Sequence, residues 1–284
     1  MASKFETRSA RLNGHAIIRV LPRAHRRMVG PFIFIDMMGP WHFPAGSGLD
    51  VPPHPHIGLS TLTYLFEGAL LHQDSLGNVV TIRPGELNWM TAGKGIVHSE
   101  RQISAMTEKD HRLFGMQCWV ALPEAQNEIA PYFLHLKTGG IPSTVNDACT
   151  IRLIAGSAYG LSSPVPAYLP MFFADITCHQ NTTLPHPGKG QEALLYVLSG
   201  DMTLGKENVL PGEFALLDAE DVLQASQGTR FLILGGEPWP VAPYIDWNFV
   251  AFSKARIEQA KSDWRSRRYP EIPGDRNEFI HLPE

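Results

Sequence analysis

Two short motifs in the sequence carry residues that can bind a metal ion, His54-Pro-His56 and His98-Ser-Glu100. In a β-strand, residues i and i+2 project from the same face, so each motif points both of its polar side chains in one direction. If the two strands lie side by side across a β-barrel, the four side chains converge on one point. We therefore predict a metal site formed by His54, His56, His98 and Glu100.

The predicted ligand set also limits the kind of ion. Three imidazoles and one carboxylate, with no thiolate, suit Fe(II), Mn, Ni, Cu or Zn better than calcium or magnesium. An ion with six ligands would keep two positions free for water, substrate or dioxygen, whereas a tetrahedral zinc ion would be saturated by these four residues. We therefore predict one divalent transition metal, with Fe(II) as the first choice.

The residues between the two motifs have the pattern of short β-strands. From about Ile57 to Glu100, apolar runs of about five residues recur every 8–12 residues and are separated by turn sequences, which is typical of a sandwich or barrel. Pro55 has no amide hydrogen, so its strand is expected at a sheet edge or a strand start. The sequence therefore predicts an all-β fold in which a barrel positions the metal ligands.

An internal repeat indicates that this barrel is duplicated. The sequence Tyr64–Gly68 corresponds to Tyr196–Gly200, and Pro84–Glu86 corresponds to Pro211–Glu213. No His-x-His or His-x-Glu motif occurs in the second half, where His186 is left as an isolated counterpart of His54. We therefore expect the second barrel to keep the fold without the metal.

We predict two domains on this basis. Residues 1–136 would form the metal-binding domain and residues 137–284 the domain without ligands, joined by a polar, glycine-rich connection over 137–147. A helix is predicted at 253–268, because Ser253 can cap its start and apolar residues follow at helical spacing. We assign this helix to the second domain.

Composition narrows the range of functions. The 24 lysines and arginines are outnumbered by 28 acidic residues, so the formal net charge is −4 and direct nucleic-acid binding is not expected. No window of 18 apolar residues occurs, so no membrane span is expected. The three cysteines, Cys118, Cys149 and Cys178, are widely spaced and form no C-x-x-C pair, which favours reduced thiols in a cytoplasmic protein.

With these motifs in view, the chain resembles the pirin family of the cupin superfamily over nearly its whole length. The matching segments are Phe32–Asp36, Gly39-Pro40, His54–Gly58, Thr63–Gly68, Pro84–Gly93, Gly95–Glu100, Leu113–Pro123 and Trp247–Trp264. The resemblance implies a bicupin, with two double-stranded β-helix barrels and metal in the N-terminal one only. It also implies that His54, His56, His98 and Glu100 are the ligands, and that the ion is usually iron.

The resemblance implies two possible functions. Some members are quercetinases, so this chain is a candidate quercetin 2,3-dioxygenase that acts on a small aromatic or enol substrate with dioxygen, and Glu100 could accept the substrate hydroxyl proton. The alternative is a non-enzymatic, iron-dependent redox-sensing protein that binds a regulator or metabolic enzyme. Two departures bear on substrate fit: Ser60 stands where many relatives have Glu, and Met37-Met38 occupies a segment that is often more polar.

Overall fold

The structure, a computed structural model, describes residues 3–218, 220–239 and 241–283. Strands dominate these ranges, and the first twelve precede residue 137. They are β1 (Ser3–Phe5), β2 (Arg8–Leu12), β3 (His15–Leu21), β4 (Phe32–Phe43), β5 (Val51–His56), β6 (Leu59–Glu67), β7 (Leu70–Asp74), β8 (Val79–Ile82), β9 (Leu87–Thr91), β10 (Ile96–Arg101), β11 (His111–Ala121) and β12 (Tyr132–Leu136).

The strands of the second half are shorter on average, and a helix follows them. They are β13 (Ser143–Val145), β14 (Cys149–Ala158), β15 (Leu161–Ser162), β16 (Met171–Cys178), β17 (Thr182–Leu184), β18 (Glu192–Ser199), β19 (Met202–Leu204), β20 (Glu207–Val209), β21 (Phe214–Leu217), β22 (Leu223–Ala225), β23 (Arg230–Gly236), β24 (Tyr244–Asp246) and β25 (Phe249–Ala251). The α-helices are α1 (Ser104–Thr107) and α2 (Lys254–Arg265), and two short 3-10 helices lie at Glu124–Gln126 and Thr138–Gly140. No helix in the described part of the chain is long and apolar enough to cross a membrane.

The chain divides into two compact units. The first unit comprises Ser9–Pro22, Ile33–Thr138 and Val241–Glu284, and the second comprises Met1–Arg8, Arg23–Phe32 and Gly139–Pro240. The division near residue 138 lies close to our expected boundary. The C-terminal segment is assigned differently from our expectation. Residues after 240, which include α2, belong to the first unit and not to the second.

The first unit is built from a seven-stranded and a four-stranded sheet. Their strand orders are β12-β9-β6-β11-β4-β3-β2 and β5-β10-β7-β8. One apolar cluster contains Met38 and Leu65 from the large sheet together with Val51 and Leu70 from the small one, so the two sheets enclose a shared interior. Strand β5, which carries His54-Pro-His56, is at the edge of its sheet, as Pro55 predicts.

The second unit repeats this plan with an apolar interior. An eight-stranded sheet, β1-β21-β18-β23-β16-β14-β13 with β15 on β14, is combined with the four-stranded sheet β17-β22-β19-β20. Side chains of both sheets, among them Leu153, Phe172, Leu195 and Leu223, form one buried hydrophobic cluster. The predicted all-β fold with two barrels and a C-terminal helix is confirmed. The stretch 137–147, however, contains strand β13, whose residues Ser143–Val145 pair with β14.

Helix α2 begins where the sequence predicts and ends three residues early. The Ser253 side chain accepts a hydrogen bond from the backbone N–H of Arg256, which caps the helix N-terminus. Arg267 has a φ of 56°, and this left-handed residue ends the helix before 268. The buried face of Ile257, Ala260 and Trp264 packs in one cluster of the first unit with β25, with Val97 of β10 and with Ile57, which follows β5.

A tight backbone contact close to the metal motif yields a stability prediction. Gly58 has a φ of +68°, and a Cβ there would overlap the carbonyl oxygen of Val250, whereas Gly77, at +88°, has open space around it. We expect Gly58→Ala to lower the free energy of unfolding by about 2 kcal/mol more than Gly77→Ala does, because overpacking adds to the left-handed strain that both variants share. Urea unfolding of the two variants measures this difference, and equal losses would contradict it.

Candidate metal centre

The structure brings three of the four predicted ligands together. Strand β5 pairs antiparallel with β10, so that His98 lies opposite His54 and Ile96 lies opposite His56. One nitrogen from each of His54, His56 and His98 lies within 4.8 Å of the other two. All three side chains are buried. This histidine triad could bind a metal ion, and it is the one such group among the residues that the structure describes.

Hydrogen bonds at Nδ1 fix the orientation of the His54 and His56 rings. His54 Nδ1 lies 2.9 Å from the carbonyl oxygen of Pro52, and His56 Nδ1 lies 3.2 Å from that of Asn248. A carbonyl only accepts, so Nδ1 carries the hydrogen in each ring and Nε2 keeps its lone pair. Metal-binding histidines usually have this arrangement. Two Nε2 lone pairs are therefore available to one ion.

The electrostatics of the triad fit an ion as well. Burial lowers the pKa of His54 to about 4, and burial together with neighbouring imidazoles holds the pKa of His56 and of His98 well below the usual 6.5. Neutral imidazole is the form that binds metals. His56 Nε2 and His98 Nε2 are 3.1 Å apart, and only a proton or a cation between them satisfies both nitrogens. The donor set therefore fits a transition metal.

Glu100 lies beside the triad but outside the tight group. Between His98 and Glu100 the register shifts, so that Glu100 lies opposite Val51. Its buried carboxyl has a pKa raised by the loss of solvent, an effect opposed by the nearby His72 and by a hydrogen bond from Gln117. The Gln117 amide oxygen accepts a hydrogen bond of 3.0 Å from Thr63 Oγ1, which turns its amino group toward the carboxylate.

A cavity of about 360 Å³ adjoins these residues and is lined by His54, His56, Glu100 and Gln117. One wall is flat and aromatic. The Phe34 and Trp119 rings stack with centroids 4.0 Å apart, and Trp119 meets the His56 ring edge-on at 5.1 Å. The cavity volume is within the range of small-molecule sites.

A charged pair, Arg19 and Asp36, also lines the cavity. The Arg19 guanidinium lies 4.5 Å from the Phe34 ring centroid. It also makes a bidentate pair with Asp36, with distances of 2.9 Å from Nε to Oδ1 and 2.7 Å from Nη2 to Oδ2. The cavity therefore presents both aromatic rings and a charged pair to a bound molecule.

Two family models match the chain, Pirin over residues 14–120 and the Pirin C-terminal cupin domain over residues 173–270. A pirin-like protein from Caulobacter vibrioides is 44% identical over 286 residues, which cover 99% of this chain and 98% of that protein. The chain belongs to the pirin family. The family prediction is confirmed, and all four predicted ligands fall within the first matched range.

Solved structures agree with this assignment. A quercetin 2,3-dioxygenase from Acinetobacter baumannii aligns with a TM-score of 0.90 and 33% identity, covering all of this chain and 95% of that one. A bacterial pirin from Escherichia coli, in complex with nickel(II), shares the fold with a TM-score of 0.67 and 19% identity, over 84% of this chain and 100% of that one.

One residue beside the site, His72, is outside the predicted ligand set. His72 lies opposite Glu100 on β7, and its Nε2 is 3.1 Å from Asp74 Oδ2. Its ring stacks on Phe133 with centroids 4.4 Å apart and is 5.4 Å from the His98 ring. The contact with Asp74 gives the buried imidazole a hydrogen-bond partner, and the side chain also adjoins the histidine triad. The i, i+2 spacing of His72 and Asp74 was the available signal.

The two departures from relatives have different consequences. Ser60 is fully buried, its Oγ is 2.9 Å from Thr91 Oγ1, and it is not among the side chains that line the cavity. Met38 does line the cavity, whereas Met37 is buried beside it in β4. Of the two departures, the methionine pair is therefore the one that bears on substrate fit.

Proposed function

We propose that this protein is an iron-dependent dioxygenase of the quercetinase type that acts on flavonol-like substrates. The observation that carries the proposal is the aromatic cavity, which leads directly to three neutral, converging imidazoles and a buried carboxylate. The similarity to a quercetin 2,3-dioxygenase over the whole chain supports it. A flat enol can pack against the Trp119 ring, which Phe34 supports, and direct its hydroxyl group toward His56 and Glu100.

In this proposal each residue has a distinct role. His54, His56, His98 and Glu100 hold the ion, and Glu100 also accepts the substrate hydroxyl proton on its carboxylate. When bound, Fe(II) supplies the activation of dioxygen, which amino-acid side chains do not provide. Gln117 holds the carboxylate in place, and the apolar surroundings exclude water from the reacting ring. Mn, Ni, Cu and Zn are the other ions that the donor set accepts.

An aerobic turnover assay tests the function. Iron-loaded protein is expected to consume quercetin and release carbon monoxide, while the same protein with His56→Ala is not. Phe34→Ala should retain the metal and raise KM about 5-fold, because it removes the ring that supports Trp119 without touching a ligand. Iron-loaded wild type that turns over no faster than His56→Ala would refute the dioxygenase proposal for this substrate.

Metal binding without turnover would leave the redox-sensing alternative, for which pull-downs with reduced and oxidised protein are the test.

The role of Gln117 yields a graded prediction. We expect Gln117→Leu to weaken metal binding by about 10-fold, because the carboxylate of Glu100 loses the donor that orients it. Thr63→Val should weaken metal binding less, because it removes only the hydrogen bond that fixes the rotation of the Gln117 amide. Ser60→Ala, on the same strand as Thr63 but bonded to Thr91, serves as the control and should bind as wild type does. Competition against a chelator measures all three, and equal affinity of Gln117→Leu and wild type would contradict this role.

A further inference from the structure

Two of the three cysteines meet in the second unit. Cys149 begins β14 and Cys178 ends β16, and the antiparallel register places the two residues directly opposite each other. Directly opposite residues of an antiparallel pair project from the same face of the sheet. Both side chains are buried in the hydrophobic cluster of this unit, and both are free thiols.

The backbone hydrogen bonds identify the type of pair. The Cys149 N–H donates to Asn146 Oδ1 at 2.8 Å, and the Cys178 N–H donates to the Thr229 carbonyl at 2.8 Å, so neither donates to the opposite cysteine. The His179 N–H instead donates to the Ala148 carbonyl at 2.7 Å, one residue beyond each cysteine. This is the pattern of a non-hydrogen-bonded pair, in which the Cα atoms are about 4.5 Å apart and the side chains are closest.

We propose that Cys149 and Cys178 form a redox-modifiable dithiol that closes to a cross-strand disulfide. Disulfides span Cα distances of about 4.4–6.8 Å, so closure needs only side-chain rotation and no movement of the strands. Widely spaced cysteines gave no sign of this in the sequence, because the pairing depends on the register of two strands. Cys118 lies in the first unit and provides an internal comparison.

The oxidant is a low-molecular-weight disulfide such as glutathione disulfide. One protein thiolate attacks it, releases one glutathione and forms a mixed disulfide; the second protein thiolate then displaces the other glutathione. Two protein S–H bonds are lost and one S–S bond forms, while the oxidant takes up two electrons and two protons as two thiols.

Burial raises the pKa of both cysteines, so closure in the folded state is slow. The exposed residues Asn146, Asp147, His179 and Gln180 surround the pair, which places it near solvent.

The test is peptide mapping without reduction. Full-length protein is incubated with glutathione disulfide, both in the folded state and during refolding from urea, and the remaining thiols are then alkylated. We expect a linked peptide pair that contains Cys149 and Cys178, with Cys118 alkylated in the same molecules. During refolding both thiols are exposed to the oxidant, so slow access to the buried pair cannot explain a missing linkage in that sample.

Matched variants complete the design. Cys118→Ser should form the same linkage as wild type, and Cys149→Ser should leave Cys178 reduced or joined to glutathione. Wild type that keeps both thiols alkylatable after refolding in the oxidant would overturn the proposal. A linkage to Cys118 in natively folded protein would overturn it as well.

Discussion

Replacing His56 by alanine is expected to abolish metal binding. The imidazole supplies one of three converging nitrogens, and His54 is the one other histidine among the described residues that line the cavity. Because loss of an outer hydrogen-bond partner already costs about 10–100-fold in metal affinity, loss of a ligand should cost more than about 100-fold. Elemental analysis of protein loaded with iron and then desalted should show about one ion per wild-type chain and almost none in the variant.

His186→Ala is the matched control for this experiment. The internal repeat sets His186 against His54, but His186 lies on a loop of the second unit, where its Nδ1 accepts a hydrogen bond from the Gly188 N–H at 3.2 Å. The control should keep its full metal content. If His186→Ala lost metal while His56→Ala retained it, the assignment of the centre to the first unit would be wrong.

Replacing Arg101 by alanine is expected to cause the largest loss of stability. The guanidinium is 13% exposed and binds Asp275 through Nε at 2.8 Å and Nη2 at 2.7 Å, and it also contacts Asp50 and Glu278. Removing it leaves the nearly buried carboxylate of Asp275 without its cation, which should cost about 3 kcal/mol of unfolding free energy. Arg112→Ala, which breaks an exposed pair with Glu67, should cost less than about 1 kcal/mol.

The same pair predicts a dependence of stability on pH. The hydrogen bond from Arg101 lowers the pKa of Asp275 below its usual 3.8. A depressed carboxyl pKa contributes stability above the unfolded value and loses it as the pH falls through the folded value. The stability difference between wild type and Asp275→Asn should therefore be constant above about pH 5 and shrink below 3.8. Urea unfolding at several pH values measures it, and a difference that grew toward acid would contradict the assignment.

Much of the candidate metal centre could be predicted from the sequence, because its geometry depends on the local two-residue periodicity of a strand. The two-residue repeat of a strand fixes the common direction of His54 and His56, and Pro55 fixes the edge position of β5. The start of α2 was predictable for the same reason, since Ser253 caps it through a contact only three residues away.

What could not be predicted depends on contacts between distant parts of the chain. The carbonyl that orients His56 belongs to Asn248, 192 residues later, and the carboxylate that binds Arg101 belongs to Asp275, 174 residues later. The assignment of α2 to the wrong unit has the same origin, because an apolar helix face does not specify which barrel it covers. Cys149 and Cys178 meet only through the register of β14 with β16.

The most direct test of the proposed metal centre is anomalous diffraction from crystals of the iron-loaded protein. The proposal predicts one strong peak, about 2.0–2.2 Å from Nε2 of His54, His56 and His98 and from the Glu100 carboxylate. A peak elsewhere in the protein, with the three imidazoles bound to no ion, would contradict it.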